Sequence, residues 1–308
     1  MCGILAVIAN KQIPSFDFIN LLRNIQHRGQ DSCGIAYIKN KEIETQKKDG
    51  MVTKLDNVSN IVKSNIYLGH TRYTTSGERF SNNNKFDNEA IHPIISTFRD
   101  ETYVFIFNGN IPFISPDLNR DTEFIKHFIE TRQHFDFQTV LLEFIRQVPR
   151  AFNIVFLYKE KLYAVRDSYG TRPFKFLKTK DDSRIYLSSE DFFLENDSWM
   201  NFDIPEGSLT IIDNDLDIVT IPTIKDKPIK ETAHCVFEHI YFMNENSMND
   251  GFLVKDSRVK MGFLLANTSG DILRFTGNDY IVSSIPQTAT TSAKVYAKTL
   301  ELEYYQFI

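Results

Sequence analysis

Three cysteines in 308 residues, at positions 2, 33 and 235, are too few and too scattered for a disulfide framework. No pair has the C-x-x-C spacing of a zinc knuckle or an iron–sulfur run. A reducing, cytoplasmic setting is therefore expected. Basic excess is missing too: 35 Lys and Arg against 40 Asp and Glu leave a net charge of −5, which argues against nucleic acid as a partner. No stretch reaches the ~20 apolar residues of a membrane span. The N-terminal apolar run lacks a basic n-region and meets Asn10 and Lys11 at once, so no secretory signal is expected. Repeats and low-complexity segments are absent. What remains is an ordinary globular composition, 42% hydrophobic and 24% charged, with 26 Phe and 13 Tyr to fill a core.

The length fits one large domain, or one full domain and a smaller one. CGILAVIA (2–9) is continuously apolar and reads as a buried strand. In PSFDFINLLRNIQHRG, Phe18, Leu21, Leu22 and Ile25 fall at helical spacing, with Ser15 suited to the N-cap and Gly29 to the exit. Strands are predicted over 33–39, 65–73 and 103–111, the last ending in a glycine turn. Amphipathic helices follow over 121–132 and 138–148, and hairpins over 151–167 and 207–221. Strands, then two helices, then antiparallel hairpins favour a layered α+β domain over a parallel α/β sheet. The first domain is placed at 2–222, a Pro- and Lys-bearing linker at 223–233, and a second unit at 234–308. SNNNKFDN (81–88) reads as a polar surface loop.

A cysteine directly after the initiator methionine is the feature that needs explaining. Methionine aminopeptidase accepts a small second residue, so Met1 is expected to be removed, leaving a thiol and a free amine on Cys2. An α-amine with a pKa of ~7.7–8.0 can take the proton of a thiol with a pKa of ~8.5, and the thiolate can then attack a carbonyl. This chemistry needs no histidine, metal or cofactor. The oxyanion it creates needs donors, which Asn108 and Gly109 in FNGNI can supply, although an Asn-Gly pair is also a plain turn. Arg72 in GHTRYTTSG suits an amino-acid carboxylate. Asp121 suits an ammonium, or is simply a helix N-cap.

MCGI, IQHRGQDSCGIA (25–36), GHTRYTTSG (69–77), His92–Pro93, FNGNI (107–111), DTEF, RDSYGTRPF (166–174) and SSED (188–191) occur in the order seen in class II glutamine amidotransferases. The chain resembles most the amidophosphoribosyltransferases among them, through the glutaminase domain to about residue 220. Beyond that, CVFEHIYF (235–242), Arg258–Ala266 and the helix near 296 continue the resemblance. It implies a four-layer αββα sandwich, the fold of N-terminal nucleophile hydrolases, followed by a partial α/β phosphoribosyltransferase-like unit. It further implies hydrolysis of glutamine to glutamate and ammonia with Cys2 as nucleophile, and Asn108 and Gly109 as the oxyanion hole. Arg72 would bind the glutamine carboxylate, Asp121 its ammonium, Arg28 and Gly29 would line the pocket, and Thr75 would contact the substrate. An ammonia-accepting partner chain or a homo-oligomer is the assembly such chemistry calls for. No metal site is expected, because His27, His70 and His92 show no ligand spacing with acidic support.

The chain departs from the family at four places. The family's V-x-D-D-S-x-x-R-G-T-T stretch, which binds phosphoribosyl diphosphate, does not occur in the 308 residues. V-P-D-S is replaced by Ile285-Pro286-Gln287-Thr288, a family helix by the short proline-containing 111–120, and the histidine before NGN by Phe107. Two other readings stand beside the glutaminase: an N-terminal nucleophile acting on another amide, and a silent remnant that binds a partner.

Overall fold

In the computed structural model the described residues are 1–58, 62–74, 90–111, 120–148, 150–192, 198–223, 232–276 and 280–307. They form two units, Met1–His234 and Cys235–Ile308.

The first unit is built on two antiparallel sheets. Seven strands make one: β1 (Gly3–Pro14), β2 (Ser32–Lys39), β3 (Glu42–Asp49), β4 (Lys63–Arg72), β9 (Lys175–Thr179), β10 (Arg184–Ser188) and β11 (Ser198–Asp203), in the order β11-β9-β10-β1-β4-β2-β3. Six make the other: β5 (Ile94–Phe98), β6 (Glu101–Asn110), β7 (Ala151–Tyr158), β8 (Lys161–Arg166), β12 (Ser208–Ile212) and β13 (Ile218–Pro222), in the order β13-β12-β8-β7-β6-β5.

Alternation along each strand splits the core into layers. Ile4, Ala6 and Ile8 of β1 meet Ile106, Val155 and Leu157 of the facing sheet. Leu5, Val7 and Ala9 point the other way, onto Phe18, Ile19 and Leu22 of α1 (Ser15–Asn24). On the far side, Phe105, Phe107 and Phe156 pack under α2 (Asp121–Glu130) and α3 (Phe137–Gln147). The expected αββα sandwich is present. It explains why CGILAVIA is apolar at every position: β1 is central, and both its faces are covered.

Several local expectations fail. Ser15 is not a cap: Pro14 holds the N-cap position, while Ser15 is the first helical residue, buried, with its N–H donating to the Val62 carbonyl at 2.9 Å. Gly29 ends a 3-10 turn over Gln26–Arg28 rather than the helix, which stops at Asn24. Gly109 is not in a turn; it sits in the ladder opposite Phe152. Asp121 is the first residue of α2 and not its cap, which is Arg120. The edge strand β3, EIETQKKD, had no apolar alternation to reveal it, as suits an edge protected by charge. Cys33 is buried, and burial pushes its thiol up to about 12. Cys235 is half-buried. Residues 81–88 lie outside the described residues, as does most of the linker, 224–231.

In the second unit, α4 (Val254–Thr276) packs on α5 (Thr290–Thr299). A side chain at Gly262 would lie 2.3 Å from the Ser292 carbonyl oxygen, so the close helix crossing requires glycine there. Arg258 anchors the preceding turn through the carbonyls of His239 (3.0 Å) and Met243 (2.7 Å). Ile281–Val282 and Glu303–Tyr304 form a short parallel pair.

Candidate active site

The site follows from strand order. Because β1 lies between β10 and β4, its first residues face the end of β4, with Gly3 opposite Thr71 and Ile4 opposite His70. Cys2 therefore emerges beside Arg72 and Tyr73, its Sγ 3.7 Å from the Tyr73 carbonyl oxygen. The facing sheet brings β6 to the same end, and α2 starts there. Cys2, Arg72, Tyr73, Phe107, Gly109 and Asp121 line one cleft, with Ala90, His92, Arg120 and Thr122 completing the wall. Its solvent space is about 60 Å³, the scale of a small head group.

Asn108 does not line that cleft. It is buried just behind Gly109, and its Nδ2 has no hydrogen-bond partner among the described residues. A buried amide donor without an acceptor carries a desolvation cost that a ligand oxygen would relieve. Asp121 is half-buried; burial raises its carboxyl, and a hydrogen bond from the Ile111 backbone opposes the rise. Burial likewise raises the Cys2 thiol, against hydrogen bonding at the Tyr73 backbone and the charges of the amino terminus, Arg72 and Arg28. The thiol is thus largely protonated at neutral pH and needs a base to become a nucleophile.

Behind the cleft wall His70 stacks on the wall residue His92, with ring centroids 4.2 Å apart. His70 Nε2 lies 3.0 Å from the Phe107 carbonyl oxygen and donates to it as a neutral ring. Burial holds His70 at about 3 and pushes His92 well below the usual range, helped in both by Arg72. Neither carries charge at neutral pH, so the positive field at Cys2 comes from the amino terminus, Arg72 and Arg28.

The QHRGQD segment supports the site from below. The Asp31 carboxylate accepts from the Thr74 N–H at 2.8 Å, and the Asp31 N–H donates to the Arg72 carbonyl at 3.0 Å. A side chain on Gly29 would fall 2.4 Å from the Arg72 carbonyl carbon, so only glycine allows this approach. Arg28 and Gly29 are both buried and neither lines the cleft. Arg28 instead reaches beneath Cys2, its Nε donating to the Cys2 carbonyl at 3.2 Å and its second nitrogen to Glu190 at 2.7 Å. Thr75 lies outside the described residues. Of the sequence candidates, the structure thus gathers Cys2, Arg72, Gly109 and Asp121 in one cleft, sets Asn108 behind it and Arg28 and Gly29 below it.

No family model matches the chain. Known proteins do. The human amidophosphoribosyltransferase is 25% identical over 343 residues, covering all of this chain and 65% of its own length. The Methanocaldococcus jannaschii enzyme is 26% identical over 344 residues (99% of this chain, 68% of that protein). A chloroplastic enzyme of Glycine max is 24% identical over 325 residues (99% and 53%). This chain is a relative of the amidophosphoribosyltransferases. It spans about half to two thirds of the length of the curated relatives it matches. The glutamine phosphoribosylpyrophosphate amidotransferase of B. subtilis, solved with ADP and GMP, superposes with a TM-score of 0.79 at 20% identity, over 99% of this chain and 65% of that one. A second structure, of the allosteric regulatory enzyme of purine biosynthesis, gives 0.80 at 21% identity (99% and 65%). These two likenesses show the amidophosphoribosyltransferase fold for this chain.

Sequence reasoning missed two groups at the site. His92 was passed over because no metal spacing surrounds it, yet it forms cleft wall. Glu190 lay in a motif, SSED, that suggested no role. Nothing local in the sequence could place it 2.7 Å from a residue 162 positions earlier.

Proposed function

We propose that this chain is the glutamine-hydrolysing part of an amidophosphoribosyltransferase-like enzyme, with Cys2 as its nucleophile once Met1 is removed. One observation carries the reading: Cys2, Arg72, Asp121 and Gly109, brought from four separate elements, line a single small cleft. A guanidinium, a carboxylate and a thiol lining one cleft suit the carboxylate, the ammonium and the side-chain amide of a free α-amino acid.

On this reading the neutral α-amine of Cys2 takes the Sγ–H proton, and Sγ bonds to the side-chain carboxamide carbon of glutamine. The carbonyl electron pair moves to oxygen, where the Gly109 N–H meets the charge, with the buried Asn108 Nδ2–H just behind it as the second donor. Collapse breaks the C–N bond, and the ammonium proton on Cys2 passes to the leaving nitrogen, which departs as ammonia. A water then attacks the thioester while the amine takes its proton, the C–S bond breaks, the thiolate is reprotonated, and glutamate leaves. The raised thiol makes the neighbouring amine necessary rather than incidental.

Because the diphosphate-binding stretch does not occur in the 308 residues, we assign phosphoribosyl transfer, the step that opens purine synthesis, to a segment or chain other than this one. The test is glutamate release by protein shown by mass spectrometry to have lost Met1, with and without 5-phosphoribosyl diphosphate. Glutamate formation that stops in Cys2→Ala is the expected result. Correctly processed protein that releases none under either condition refutes the assignment.

A further inference from the structure

An N-terminal nucleophile has a mechanical problem. Once Met1 is gone, Cys2 is a chain end with no peptide bond on one side, and chain ends fray. Catalysis tolerates displacements of only about 0.5 Å in such a group. The tether must therefore come from the carbonyl side of Cys2 and from the residues just after it.

The structure shows what grips them. The Arg28 Nε donates to the Cys2 carbonyl at 3.2 Å. Two residues on, the Ile4 N–H donates to Ser189 Oγ at 3.1 Å, and the Ser189 N–H donates to the Ile4 carbonyl at 3.0 Å. Arg28 is itself held: its guanidinium and the Glu190 carboxylate are both fully buried and 2.7 Å apart. His27 Nε2 meets the same Glu190 oxygen at 2.8 Å, and the Glu190 N–H donates to Ser188 Oγ at 3.2 Å. The short segment Ser188–Glu190 thus grasps the chain end twice, directly at Ile4 and through Arg28 at Cys2.

We propose that Glu190 is a positioning residue for the Cys2 nucleophile, acting through Arg28, which it locks in the one orientation that reaches the Cys2 carbonyl. The inference rests on the glutaminase reading for its kinetic readout. Glu190 touches neither substrate nor sulfur in this arrangement, while Arg72 and Asp121 hold the substrate from other elements. Its loss should therefore leave binding intact and slow chemistry, since a misplacement of about 1 Å can cost about 100-fold.

A buried charge could also matter only for stability, so two variants are needed. Glu190→Gln keeps the shape and removes the charge. Arg28→Met with Glu190→Leu removes both buried charges, a replacement that commonly restores stability, but leaves the Cys2 carbonyl unheld. Both are expected to lower kcat for glutamate release roughly 10- to 100-fold, with KM for glutamine within twofold of the parent. In both, amide hydrogen exchange at Gly3 is expected to rise at least tenfold, with the β4 amides unchanged. Recovery of kcat to within threefold of the parent in the folded double variant overturns the proposal, as does unchanged exchange at Gly3. If the parent protein releases no glutamate, the functional reading falls, and the Gly3 exchange alone then decides whether Glu190 positions the chain end.

Discussion

Lowering the pH from 7.5 to 5.5 should weaken the first unit through its buried imidazoles. His70 is held at about 3 in the fold against an ordinary 6.5, because burial penalises its charged form. Above 6.5 the ring is neutral in both the folded and the unfolded chain. Below 6.5 the unfolded chain takes up a proton that the folded one refuses, so stability is lost as pH falls toward 3. At pH 5.5 that difference is about 1.4 kcal/mol from His70 alone. His92 is shifted the same way, and Arg72, Lys47 and His70 all resist its protonation, so the pair should lose more than His70 does. Against a total of about 5–15 kcal/mol, this is a visible fraction. The window lies above most carboxylates, which keeps Glu190, held at about 2, out of the comparison. Urea unfolding at both pH values, for the parent and for His70→Gln, measures the effect. The Gln side chain can still donate to the Phe107 carbonyl, so the variant should lose about 1.4 kcal/mol less than the parent on acidification. Equal losses in the two proteins, or no loss in the parent, would refute the reasoning.

Three further outcomes are expected. On the proposed mechanism Asn108→Ala removes an oxyanion donor, and it should lower kcat about 100- to 1,000-fold with a small change in KM, read by glutamate release. Arg72→Lys keeps a charge but gives up the two-pronged carboxylate grip proposed for Arg72, so KM for glutamine should rise at least tenfold, as steady-state kinetics would show. Asp136 caps α3 by accepting from the Thr139 N–H at 3.0 Å, and Asp136→Ala should cost about 1 kcal/mol in urea unfolding without touching activity.

Much of this was legible in the amino acids, and the misses share a cause. CGILAVIA predicted a buried strand because an unbroken apolar run needs two covered faces, and β1 has them. Cys2, Arg72 and Gly109 were legible as neighbours, because the motifs that carry them occur in the order seen in a known family, and the fold brings them to one cleft. Local setting was not. Gly109 read as a turn because Asn-Gly usually is one, but here the side chain's absence allows strand packing: a Cβ would lie 2.5 Å from the Ala151 carbonyl oxygen. Ser15 and Asp121 read as caps from local preference, and tertiary contacts put each one residue inside its helix instead. Arg28 read as a pocket residue through the family resemblance, whereas its partner Glu190 holds it beneath Cys2. These are long-range facts, set by which strands pair.

The central place of β1 also sets a timetable. Its two neighbours are β4 and β10, and the latter is not complete until Ser188 has been made. At about 5–20 residues per second, the first strand waits roughly 10–40 s on the ribosome for its second partner. In the finished fold Met1 is buried, only 8% exposed. On the reading that Met1 is removed, the trimming enzyme has to work on a chain end still in the open, because sheet closure buries Met1. On that reading maturation and folding are a race, in which the slow arrival of β10 keeps the door open.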